Sequence, residues 1–122
     1  MIMPVGLRLS RKKGFDLQAW SREVNGLDAV NVARPHLFGN PFSVLPQHPP
    51  GKEFGIIGLA RTIAVPTAED AVACFDEMLD QPGETADKLR AALHTLRRKN
   101  LACWCRLEDA CHRNVLLRRA NA

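Results

Sequence analysis

Cys103-Trp104-Cys105, and Cys111-His112 a few positions on, bring three thiols and one imidazole into one short stretch of the chain. In a strand, side chains alternate between faces, so Cys103 and Cys105 point the same way. Cys111 and His112 then fall at the start of a helix. Three soft thiolates and an imidazole form the Cys₃His donor set of a tetrahedral zinc site, with Cys103, Cys105, Cys111 and His112 as ligands. The same residues also suit chemistry without a metal. A thiol in the first turn of a helix beside an imidazole has its thiolate stabilised by the dipole and by His⁺. Cys105, Cys111 and His112 would then be catalytic, with Cys111 as nucleophile or Cys105 and Cys111 as a redox pair. A third reading treats the cysteines as small buried core residues. All three readings stay open on the sequence.

A second constellation is Arg34-Pro35-His36-Leu37-Phe38-Gly39-Asn40-Pro41-Phe42. Arg34 offers a planar fork for phosphate or carboxylate, and Gly39-Asn40 suits a turn with exposed backbone N–H groups. Arg34, Gly39 and Asn40, with Arg11 and Lys12 upstream, are the candidate ligand-binding residues. A plain structural turn accounts for the Gly-Asn-Pro run as well. His36 and His48 are expected on exposed loops. Trp20 and Trp104 are expected to pack rather than stack on a ligand.

The elements that must position these residues are partly legible. Val5 to Ser10 reads as a short edge strand and Asp28 to Ala33 as a better one, ended by Pro35. The prolines between Pro41 and Gly51 mark a loop, and residues 41–61 are expected to be irregular. Thr62 to Val65 reads as a partial strand. Thr67 is a helix N-cap, with Val72, Phe75, Met78 and Leu79 on one face. A second helix from Thr85 carries Leu89, Ala92, Leu93 and Leu96 inward. Its last turn holds Arg97, Arg98 and Lys99, and Asn100 is its C-cap. Leu101 to Cys105 is a strand, and Asp109 caps a last helix from Ala110 to Arg119. Residues 1–28 are read as a basic N-terminal segment. This order predicts an α/β fold: a small, at least partly parallel sheet with helices packed on it, in a single domain over residues 1–122.

With 122 residues and 46% hydrophobic composition the chain can bury one core. No stretch approaches the apolar length of a bilayer crossing, so no membrane partner is expected. No basic-then-apolar leader pattern is visible, which leads us to expect a cytoplasmic location, where clustered cysteines read as metal-binding or reactive thiols rather than disulfides. The formal net charge is +4 and the pI about 9.2, compatible with nucleic acid or phosphorylated small molecules as partners. The basic residues fall in three groups: Arg8, Arg11, Lys12, Lys13; Arg97, Arg98, Lys99; and Arg113, Arg118, Arg119.

Arg8-Leu9-Ser10-Arg11-Lys12-Lys13-Gly14, Val30 to Pro35 with Gly39-Asn40-Pro41-Phe42, and Cys103-Trp104-Cys105 with Cys111-His112 and Val115-Leu116 together resemble the phage and bacterial family called domain of unknown function 4326. The resemblance covers nearly the whole chain. It implies a bacterial cell or a phage-infected host as setting and brings no established reaction. Its hallmark positions are Arg34, Pro35, Gly39, Asn40, Pro41, Phe42, Cys103, Cys105, Cys111 and His112. Asn114 stands where the family often has an acidic residue, and Phe38 where it often has tryptophan. Gln47 to Arg61 is read as a local elaboration.

Three functions follow from these observations. The first is a small domain that binds or acts on a nucleotide or other phosphorylated ligand. The second is a non-catalytic, zinc-stapled module that binds nucleic acid. The third is a phage adaptor or inhibitor with an inert cysteine cluster.

Overall fold

The computed structural model describes residues 2–34, 36–44, 56–57, 60–61 and 63–122. Pro35, His48 and most of the 45–62 stretch lie outside the described residues. Three parallel strands form the central sheet: β1 (Gly6–Arg8), β2 (Ala29–Asn31) and β7 (Asn100–Cys103), in the order β1-β7-β2. The middle strand comes last in the chain. Leu101 pairs with Gly6 on one side and Val30 on the other. All four β7 residues are buried, as expected for a parallel strand covered on both faces.

Helix α1 (Leu17–Asn25) links β1 to β2. Asp16 caps it, accepting from the Ala19 N–H, and Gly26 ends it at φ 80°, a left-handed position that glycine takes at no steric cost. The sequence pattern predicts no helix here. Arg8 to Lys13 drew attention to charge, while the apolar positions Leu17 and Trp20 are too few to mark a stripe.

The short strand β3 (Phe42–Val44) pairs in parallel with β6 (Ile63–Val65), so the stretch expected to be irregular opens with a strand. Strands β4 (Ile56–Ile57) and β5 (Ala60–Arg61) form an antiparallel pair. Helix α2 (Ala68–Met78) starts at Thr67, whose hydroxyl accepts from the Asp70 N–H, as expected. Phe75 and Leu79 are fully buried in the core, with Val72 and Met78 packed against them.

Helix α3 (Glu84–Ala92) passes into a 3₁₀ turn over Leu93–Leu96. The chain then turns through Arg97 to Lys99, with Arg98 at φ 60°. These residues are therefore not the last helical turn, and Asn100 is not a C-cap. Asn100 starts β7, where its fully buried amide bonds the Ser21 hydroxyl (2.7 Å) and exchanges bonds with Asn25 (2.8 and 2.9 Å). The last helix, α4 (His112–Ala120), is capped by Cys111 and not by Asp109. Asp109 instead accepts from Arg106 Nε at 3.1 Å, within the turn that precedes the helix. Val115 and Leu116 point inward as expected.

The basic groups are absorbed unevenly. Arg119 binds both Asp76 and Asp80, and Arg118 also reaches Asp76, tying α4 to α2. Arg97 donates to the Ala120 carbonyl and Lys99 lies 3.9 Å from Asp28. Arg8, at the end of β1, and Arg11, Lys12 and Lys13 beyond it remain exposed.

Candidate functional site at the carboxyl edge

Parallel strands share one carboxyl edge, and such edges are where open α/β sheets place ligands. Here β1 delivers Arg8 to Lys13, β2 delivers Val32 to Arg34, and β7 delivers Cys103 to Cys105. The hydrogen-bond ladder runs one step past each outer strand. Leu9 N–H bonds the Cys103 carbonyl at 2.8 Å, and Val32 N–H bonds the Ala102 carbonyl at 2.9 Å. The start of α4 returns Cys111 and His112 to the same edge.

Cys103, Cys111 and His112 are all buried, and one donor atom from each lies within 4.8 Å of the others. This group can hold a metal ion. Cys105 Sγ is 4.0 Å from Cys103 Sγ, but Cys105 sits in the bend beyond β7, half-buried and outside the tight group of three. The structure thus brings all four predicted residues together, three of them closely.

The imidazole is held in one form. Its Nε2 lies 2.7 Å from the Val32 carbonyl, an acceptor only, so Nε2 carries the proton. Nδ1 therefore presents its lone pair, and it faces Cys111 Sγ at 3.7 Å. A metal-binding histidine needs this arrangement, one nitrogen anchored by a hydrogen bond and the other free. Phe75 of α2 packs edge-on to the ring, with centroids 5.2 Å apart. Burial pushes the His112 pKa down, and the nearby Arg34 and Arg113 charges act the same way, keeping the imidazole neutral.

The thiols do not ionise independently. Hydrogen bonds from Cys105 and Cys111 hold the Cys103 thiol well below the ordinary thiol range. Its bonds to Cys103 and Cys105, then burial, push Cys111 up, and the bond to Cys103 pushes Cys105 up. Cys103, at the end of the strand, is thus the most readily deprotonated of the three thiols. Cys111, as N-cap, makes no side-chain bond to the helix. Its sulfur is left to the cluster, beside the positive end of the α4 dipole.

A cavity of about 510 Å³ opens over this cluster. Its walls include Arg34 and Asn40 from the loop after β2, Phe42 at the start of β3, all four cluster residues, Trp104, and Ala68, Glu69 and Val72 from α2. The two constellations that the sequence suggested therefore line one space.

Within the first loop, roles divide. Arg34 is exposed at the cavity wall. Gly39 and Asn40 shape the loop. Gly39 N–H is already given to the His36 carbonyl at 2.9 Å. A Cβ on Gly39 would lie 2.9 Å from Arg34 Cα, so glycine is required for the close approach of loop to strand end. Asn40 is buried, donating to the Ala71 carbonyl at 3.1 Å and accepting from Phe42 N–H at 2.9 Å. That bond locks the loop onto α2. Arg11 lies over the Trp104 ring, 4.7 Å from its centre, and Lys12 is exposed beside it. Trp104 is 43% exposed, so it is a rim residue under Arg11, not the packing residue the sequence suggested. His36 is exposed as expected.

Two features were missed. Glu69 lines the cavity from the first turn of α2. Arg113 is fully buried although its residue type argued for the surface. The signal was present: Arg113, Leu116, Leu117 and Ala120 share one helical stripe.

The fold and site define a small parallel α/β domain with a cysteine–histidine group at the carboxyl edge of its sheet. Residues 15–122 match the family model described as domain of unknown function (DUF4326), and the chain belongs to that family. No curated protein and no solved structure matches it. Among the described residues no helix is long and apolar enough to cross a membrane.

Proposed function

We propose that the chain binds a nucleotide or similar phosphorylated small molecule in the carboxyl-edge cavity, over a metal ion held by the cysteine–histidine group. The supporting observation is that Arg34 and the cluster line the same cavity. Its volume falls in the range of small-molecule sites, about 300–1,000 Å³. Arg34 pairs with the phosphate through its guanidinium fork. The amino ends of α2 and α4 add positive potential. Glu69 accepts from ribose or sugar hydroxyls. Zinc suits the donor set of two thiolates and an imidazole, with its fourth position completed by Cys105 or by the ligand.

The test is thermal-shift and calorimetric titration with nucleoside mono-, di- and triphosphates, sugar phosphates and inorganic phosphate. Binding by one class is expected, weakened roughly tenfold to a hundredfold by Arg34→Ala, as for loss of a charged hydrogen-bond pair. Equal binding by the variant, or no binding by any of these compounds, would overturn the reading.

A second reading is favoured by the Arg11–Trp104 stack and the unabsorbed charges of Arg8, Lys12 and Lys13 at the same edge. A single strand of nucleic acid would track these cations. Its signature is affinity that falls steeply with salt and is lost evenly as Arg11, Lys12 and Lys13 are neutralised. No binding at low salt removes it.

A further inference from the structure

Arg113 is a charged side chain taken wholly out of solvent. Its Nη1 donates to the Leu7 carbonyl on β1 (3.1 Å) and to the Cys105 carbonyl (3.3 Å), and its Nη2 to the Arg106 carbonyl (3.4 Å). Nε has no partner. Among the described residues no carboxylate forms an ion pair with it, whereas Arg118 and Arg119 of the same helix are paired with Asp76 and Asp80. The backbone has been fitted to this arm: a Cβ on Gly6 would lie 2.6 Å from Arg113 Nε.

A buried cation held only by carbonyl dipoles is costly, so a fold that retains one balances it with an anion nearby. Thiols that a bound metal would ionise lie on the segments that Arg113 touches. Arg113 directly follows His112, and its guanidinium holds the backbone of Cys105. Charge accounting narrows the choice. A divalent metal ion on the thiolates of Cys103 and Cys111 and a neutral His112 has no net charge. With Arg113 the buried group is then one positive charge in excess, and a third thiolate, that of Cys105, removes the excess.

We infer that Arg113 is the buried counter-charge of the cysteine–histidine centre, a positioning residue that fits the centre to take the Cys105 thiolate as its fourth ligand. This rests on the reading of the cluster as a metal centre.

The experiment is competition with a chelator for zinc, with cobalt(II) substitution to count thiolates, on the full chain as wild type, Arg113→Met and Arg113→Lys. Wild type is expected to show tetrahedral cobalt with charge-transfer absorption from three thiolates. Arg113→Met is expected to bind zinc at least about tenfold more weakly and to lose about a third of that absorption, as Cys105 drops out of the set. Its metal-free form melts no lower than wild type, because the unpaired charge has gone. Arg113→Lys keeps the charge and most of the affinity but melts lower, lacking the fork to three carbonyls. If Arg113→Met lowers both melting points alike and leaves zinc affinity unchanged, Arg113 is a carbonyl clamp and the inference is overturned. Should Arg113→Met not fold, Arg113→Lys decides: zinc affinity within about tenfold of wild type supports the counter-charge, and a larger loss overturns it. A wild type that binds neither metal overturns the metal centre itself, a result distinct from an indifferent Arg113.

Discussion

His112 shows how much one side chain can be specified by its surroundings. Its Nε2 is anchored to Val32 and its ring is braced by Phe75, so the free nitrogen has one orientation. Replacing Cys103, Cys111 or His112 by alanine is expected to abolish stoichiometric zinc, because each removes one of three closely placed donors. Cys105→Ala is expected to leave zinc bound about tenfold or more weakly, as three protein ligands can still hold it. Metal analysis of the purified variants checks both. Gly39 answers to geometry alone. Gly39→Ala sets a methyl group against Arg34 Cα, a backbone atom that cannot swing away. We expect a loss of about 1–3 kcal/mol by denaturant unfolding, together with weaker binding of any ligand that needs Arg34.

Among the elements, α4 carries the most obligations. Its first residue is a donor, its second the buried arginine, and its last turn is stapled to α2 through Arg119, Asp76 and Asp80. The Arg119 hydrogen bond, foremost, holds the Asp76 carboxyl below its ordinary range. A depressed carboxyl contributes stability above its unfolded value and loses it as the pH falls through the folded one. Asp76→Asn is therefore expected to cost about 1 kcal/mol at neutral pH, since the network is partly solvent-screened. The gap from wild type closes as the pH falls below the ordinary aspartate value of about 3.9. Urea melts at several pH values read this directly.

Elements were legible where one local signal sufficed. Thr67 with two acidic residues after it fixed α2, and the Val30–Val32 alternation fixed β2. They were misread where a distant partner decides. Asn100 looks like a helix cap until Ser21 and Asn25 claim its amide. Asp109 looks like an N-cap until Arg106 takes its carboxylate. The four cluster residues were legible from type and spacing alone. The split between Arg34 at the cavity wall and Gly39-Asn40 as loop scaffold was not, because it depends on α2 lying beneath the loop.

At the scale of the whole molecule, the sheet order does the assembling. With β7 threaded between β1 and β2, three segments far apart in sequence end at one edge. A metal ion held there would join β7 to α4, and its removal should be felt globally. Binding to the folded state alone stabilises by about 2.7 kcal/mol when free metal is a hundredfold above its dissociation constant. Chelation is expected to lower the melting temperature, and added zinc to restore it. A melting curve indifferent to both would place the cluster among inert core thiols.

The opposite flank of the sheet has a consequence of its own. The Gln18 amide meets the Ala29 backbone twice, donating to its carbonyl at 2.7 Å and accepting from its N–H at 2.8 Å. A side chain from α1 thus impersonates a neighbouring strand at Ala29, one of the residues whose backbone groups β2 turns outward. A three-stranded sheet with an open border invites another chain to extend it. Gln18 blocks such an extension at Ala29, so a strand added to the β2 border would first have to displace it.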